Sequence, residues 1–288
     1  MLDRLPAPLQ TAFAVVRTAV LGFWDDDGFI LSGNLAYLAL LALFPFMIFL
    51  VVLAGAIGRT TAGLEAVHAF LDAMPPNVAT ALADPINQVI GQSGRGLLTF
   101  GAVVAIWTAA SFIETVRVII HKAYNHDSGR SMWQYRLESF VIVIGSAILL
   151  LLAMAGQFAY GAARKLALTY LPFAEGAIEA LGWLRFGVLP LGLFLGLYGL
   201  FLSLTPRRAR PRAHWPGAVL TTAAWIATAY LLPKVLAMLG SYDLTYGSLA
   251  GVMVALLFFY VVGAGLVMGA QLNAALKLLD ENRKSRSS

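Results

Sequence analysis

The sequence predicts an all-α, polytopic membrane protein, and three observations carry that expectation. First, 59% of the 288 residues are hydrophobic and only 12% are charged. A soluble domain carries about 25% charged residues, because its surface must face water. That composition argues against both an ordinary soluble enzyme and a disordered, charge-rich chain. Second, six stretches of more than 20 residues are almost free of charge. Third, the few basic residues sort by position along the chain, as they do when loops alternate across a bilayer.

A bilayer-crossing helix needs about 20 apolar residues, since each adds about 1.5 Å across a core about 30 Å thick. The six candidates are Leu35–Ile57, Leu97–Ile120, Phe140–Tyr160, Trp183–Leu204, Pro216–Met238 and Leu249–Leu272. Charge inside them is confined to Glu114 and Arg117 in the second, Arg185 in the fourth and Lys234 in the fifth. Helices are expected because they satisfy every backbone group within the segment. Alternating runs of about ten residues, the mark of a membrane β-barrel, do not occur. Residues 35–274 therefore form one six-span domain, flanked by segments 1–34 and 275–288.

Orientation follows from the Lys/Arg census. One set of loops and termini holds Arg4, Arg17, Lys122, Arg130, Arg136, Arg207, Arg208, Arg210, Arg212, Lys277, Arg283, Lys284 and Arg286. The opposite set holds Arg59, Arg95, Arg164 and Lys165. Thirteen against four places both termini in the cytoplasm. No signal-peptide pattern opens the chain, so no cleavage is expected.

The segments outside the spans are amphipathic. Leu9, Phe13, Val16, Val20 and Phe23 recur at helical spacing and end at Trp24, which predicts a helix lying in the cytoplasmic interface. The external loop 58–95 repeats the pattern with Leu64, Val67, Leu71 and Met74 before Pro75 and Pro76. It reads as a helical hairpin over the bundle. The tail Asp280–Ser288 is expected to be disordered.

Three stretches carry a resemblance to a known family. Leu35-Ala36-Tyr37 leads to Leu43-Phe44-Pro45 in the first span. His214-Trp215-Pro216-Gly217-Ala218 opens the fifth. Gly240–Leu249 (GSYDLTYGSL) precedes the last span, which ends in Gly269-Ala270-Gln271-Leu272-Asn273-Ala274. With Trp107 in the second span, these resemble the YihY/BrkB family of bacterial inner-membrane proteins along nearly the whole chain. The resemblance implies a multi-pass inner-membrane protein. Members of that family carry labels as different as ribonuclease, virulence-associated factor and transporter. Two positions depart from the pattern: Asp243 stands where the family carries Asn, and Gln271 where it carries Glu.

Several polar positions are candidates for function. Glu114 and Arg117 lie three apart on one helix face, with Glu138 at the start of the third span. This polar cluster reads either as a gate or cation site, or as an ion pair reaching the interface. Gly240 and Gly247 flank Tyr242, Asp243, Thr245 and Tyr246, which read either as an external entrance or as a tight turn with interfacial tyrosines. Pro45 and Pro190 interrupt the first and fourth spans, matching positions in a three-plus-three inverted repeat. Membrane helices also tolerate proline without such a meaning. Asn34, Tyr37, Gln271 and Asn273 are expected to bond between helices. Gly192-x₃-Gly196 and Gly265-x₃-Gly269 allow close helix approach. The run Arg207, Arg208, Arg210, Arg212 is suited to anionic lipid headgroups.

These readings favour a transporter or flippase-like protein for a small solute or lipid, with a membrane scaffold for an envelope partner as the alternative. A second copy of the chain is a further candidate partner. No ATP-binding motif, cofactor motif or nucleic-acid surface is present in the sequence. Phosphodiester cleavage by metal needs clustered carboxylates or histidines. The one dense acidic set is Asp25-Asp26-Asp27, while His68, His121, His126 and His214 are scattered. No enzymatic activity is expected.

Overall fold

The structure is a computed structural model, and it describes residues 7–57, 95–125, 131–149, 184–206, 214–239 and 250–287. Among these residues there are seven helices and no strand. They are α1 (Ala7–Asp25), α2 (Gly28–Ile57), α3 (Arg95–Ala123), α4 (132–149), α5 (Leu184–Leu204), α6 (Trp215–Leu239) and α7 (Ala250–Ser287). Each apolar run expected to cross the membrane is matched, wholly or in its described part, by a helix from α2 to α7.

Among the described residues, three helices are long and apolar enough to cross a membrane: Val103–Ala123, Trp215–Leu236 and Ala250–Glu281. The α1–α2 pair, Gln10–Asp25 with Gly28–Leu43, passes the same test as a fourth but is bent by 68° at its break. Pro190–Leu204 is a shorter apolar helix.

The pairs α6–α7 and α2–α7 run antiparallel, as contacts along each pair show. Gly217 meets Gly269 while, further along, Trp225 Nε1 donates to the Val262 carbonyl at 2.8 Å. Asp26 meets Gln271, whereas Gly33 faces Tyr260. Later turns of α3 meet the first turns of α4, where Arg117 donates to Ser139 Oγ. One end of the bundle thus gathers the α1–α2 elbow, the last turns of α3 and α5, the first turns of α4 and α6, and the later part of α7.

The α7 helix is the axis of this arrangement, packing against α1, α2, α3 and α6. Its inner face supplies Leu266, Val267 and Ala270, each no more than 1% exposed, to a core shared with Leu35, Ile120 and Phe201. Two glycines allow this closeness. A Cβ on Gly217 would strike the Gly269 carbonyl, and one on Gly269 would strike Thr221 Oγ1 and the Gly217 carbonyl. Gly265 of the same spaced pair faces Ala224, so Gly265-x₃-Gly269 serves packing inside the chain. Gly192, Gly196 and Gly199 have nothing within 4 Å of such a Cβ.

Three expectations need correction. The helices α2 and α5 continue through Pro45 and Pro190, and α6 likewise continues through Pro233, so the prolines do not break the spans. A proline removes one N–H, and neighbouring structure in a bundle tolerates that loss. The tail is helical through Ser287 rather than disordered. Lys277 pairs with Glu281 one turn on at 3.5 Å, and α1 packs along Ala275, Leu276 and Leu279. The α4 helix begins at residue 132, eight residues before the expected span, so Arg136 is helical. Of the α1 stripe expected to lie in the interface, Phe13, Val16 and Val20 are exposed, and Phe23 is buried with Val15 and Ala19. The helix has two apolar faces, and α7 takes one of them.

Candidate functional site

The α3 and α4 helices face each other through charge. Arg136 Nη1 donates to Glu114 Oε2 at 2.6 Å, forming an ion pair. Arg117 lies 3.5 Å from Glu138 Oε2 and donates to the Tyr135 carbonyl at 2.9 Å and to Ser139 Oγ at 3.1 Å. The candidates Glu114, Arg117 and Glu138 do come together, but the partner of Glu114 is Arg136 rather than Arg117. Helical spacing fixes the face of one helix; the register of the neighbour decides who meets whom.

Aromatic rings frame both guanidinium groups. Arg136 Cζ sits 4.0 Å from the Trp107 ring centre and 5.8 Å from that of Phe140. Arg117 Cζ is 4.7 Å from the Tyr135 ring. The negative ring faces attract the cations. Glu114 Oε1 is buried and accepts no hydrogen bond from the described residues.

Depth sets this pair apart from the next one. Lys122 Nζ pairs with Asp27 Oδ2 at 2.8 Å and donates to the Asp26 carbonyl at 3.0 Å. Glu114 stands eight residues earlier on α3, about 12 Å further into the bundle at 1.5 Å per residue. Sequence reasoning put Arg136 in a loop and so missed it. The signal was there: Arg136 follows Trp133 and precedes Phe140 at helical spacing.

A second polar junction joins the elbow to α6 and α7. Gln271 Nε2 donates to Asp26 Oδ2 at 2.7 Å. Asn273 is 1% exposed; its Oδ1 accepts from the Gly217 N–H at 2.8 Å and its Nδ2 donates to the His214 carbonyl at 3.1 Å. It closes the first turn of α6, whose amide groups have no partner within the helix. Gln271 and Asn273 thus bond between helices as expected, whereas Asn34 and Tyr37 are exposed. Beside this junction, burial pushes the Tyr124 phenol above its ordinary range and the Thr205 hydroxyl draws it back less, so it stays neutral.

Other candidates are placed more simply. Lys234 is exposed. The carboxylates of Asp26 and Asp27 are engaged by Gln271 and Lys122, and among the described residues no three His, Asp or Glu side chains converge as a metal site. Gly240, Tyr242, Asp243, Thr245, Tyr246 and Gly247 lie outside the described residues, as do Arg207, Arg208, Arg210, Arg212 and the loop 58–94.

A bundle of apolar helices, three of them among the described residues long enough to cross a bilayer, defines a membrane protein. Residues 19–288 match the family described as virulence factor BrkB, and the chain belongs to that family. It is 29% identical to YfkH of Bacillus subtilis, whose name calls it ribonuclease-like, over 87% of this chain and 92% of that one. It is 28% identical to a UPF0761 membrane protein of Rhodospirillum centenum, covering 96% of this chain and 60% of the relative. A UPF0761 membrane protein of Alteromonas mediterranea is 22% identical over 91% of this chain and 87% of its own length. No solved structure matches.

Proposed function

We propose that the protein is a six-span transporter or flippase-like protein of the bacterial inner membrane, with both termini cytoplasmic, moving a small solute or a lipid. The observation that carries this reading is the Glu114–Arg136 pair, held between α3 and α4 about 12 Å inward of the Lys122–Asp27 contact. Ionised groups within a membrane cost about 2.5–3.5 kcal/mol on insertion scales, so they persist where they serve a pathway. Two charge pairs across one helix seam can open and re-form, which interlocked apolar packing does not do without leaving voids. In this reading the seam is the cytoplasmic gate. The α1 helix lies in the interface with Phe13, Val16 and Val20 toward lipid, and Arg207, Arg208, Arg210 and Arg212 meet anionic headgroups.

Nucleolytic chemistry fits the arrangement poorly, because the Asp27 carboxylate already pairs with Lys122 and that of Asp26 accepts from Gln271. The scaffold alternative rests on loop 58–95, with an envelope protein docking on it. Reconstitution separates the readings. Protein-dependent flux in vesicles supports transport, and deletion of 58–94 that abolishes a cellular phenotype while flux persists supports the scaffold.

A further inference from the structure

The seam between α3 and α4 has the shape of a receptor for a cation, with the chain's own arginine in it. Trp107 and Phe140 stand 6.3 Å apart at 52°, forming two walls. Glu114 supplies the floor, with Oε2 on Arg136 and Oε1 buried and accepting nothing from the described residues. The Arg136 guanidinium fills the space, 4.0 Å from Trp107, and its side chain is 13% exposed. Two aromatic faces and a carboxylate are the groups that hold organic cations. The mouth is open, since Trp107 is 54% exposed. Arg136 reaches the site from the second turn of α4 on a long, rotatable stem that can swing toward the interface.

We propose that Trp107, Phe140 and Glu114 form a binding site for an organic cation, alkylammonium or guanidinium, and that Arg136 is its resident placeholder. The ligand is either a free cation or the amine of a lipid headgroup. The proposal deepens the transport reading by naming its substrate class, and it rests on that reading only for the site's use, because binding is measurable without flux. Arg136 then keeps the site closed and neutral until a cation displaces it.

The test uses full-length protein in detergent and in lipid nanodiscs, with methylguanidinium as the free probe. Emptying the site with Arg136→Gln should give a saturable change in tryptophan fluorescence that is absent in Arg136→Gln/Trp107→Phe. Affinity should exceed that of wild type by about tenfold or more, and Glu114→Gln added to Arg136→Gln should remove that gain. In nanodiscs, a Trp107-dependent signal that phosphatidylethanolamine produces and phosphatidylglycerol does not would identify the headgroup as the source. The free-cation source is identified when both lipids behave alike and methylguanidinium still binds. Wild-type protein provides a second measurement if Arg136→Gln does not fold. Methylguanidinium should raise the rate at which phenylglyoxal modifies Arg136, read by peptide mass spectrometry. No Trp107-dependent signal in folded Arg136→Gln, or an unchanged modification rate at Arg136, overturns the proposal. Binding without flux would leave the site standing and remove the transport reading.

Discussion

Asn273 shows how a single side chain ties two helices together. Its amide accepts from the Gly217 N–H and donates to the His214 carbonyl, and it is almost wholly buried. Replacing it with alanine takes the Asn273 side chain from the buried Gly217 N–H and leaves the His214 carbonyl with the longer bond from the Ala218 N–H at 3.3 Å. We expect Asn273→Ala to cost about 1–3 kcal/mol, read as a lower melting temperature in detergent. An unchanged melting temperature would mean that the junction relaxes without loss. The Lys122–Asp27 pair is a different case, because its side chains are 39% and 59% exposed. Lys122→Ala should shift stability by less than about 1 kcal/mol on the same assay. Asp27 itself holds a positive φ of 58°, a backbone region that Asp tolerates better than most residues.

At the scale of elements, the glycines separate contact from free surface. Gly217 and Gly269 occupy the crossing of α6 and α7, where any side chain meets backbone. Gly269→Val should force the helices apart and yield little monodisperse protein on size exclusion. Gly192→Ala on α5 meets open space and should be neutral, or stabilising by up to about 1 kcal/mol from helix propensity. Equal behaviour of the two variants would contradict the packing described. The helices themselves were legible in the sequence, since apolar runs of this length have few other solutions. What the sequence left open was pairing. The i, i+3 spacing of Glu114 and Arg117 suggested a pair, yet α4 starts at residue 132 and brings Arg136 to Glu114. The stripe on α1 was ambiguous because the helix is apolar on two sides, and only the position of α7 decides which is covered. The helical tail escaped notice for the same reason: its first turns carry contacts from α1 that lie far away in sequence.

At the scale of the whole molecule, the elbow, the later turns of α3 and α5, the first turns of α4 and α6 and the later part of α7 share one end. Lys122 and Arg136 sit on the helix turns gathered there, and in the sequence Arg130 and Arg207–Arg212 fall between such turns. That end is therefore expected to be cytoplasmic. The chain has no cysteine, so single-cysteine labelling reads cleanly. Ser288→Cys should resist an impermeant thiol reagent in intact cells and react after permeabilisation. Labelling from outside would reverse the orientation.

The central claim is that the charged seam between α3 and α4 lies on a transport pathway. The most direct measurement is flux in proteoliposomes, following efflux of methylguanidinium and translocation of a fluorescent phosphatidylethanolamine in the same preparation. The account predicts that wild-type protein moves at least one of them, and that Glu114→Gln slows it by about tenfold or more, the effect of about 1.4 kcal/mol at the barrier. Folded wild-type protein that moves neither, or a Glu114→Gln variant with unchanged flux, would contradict it.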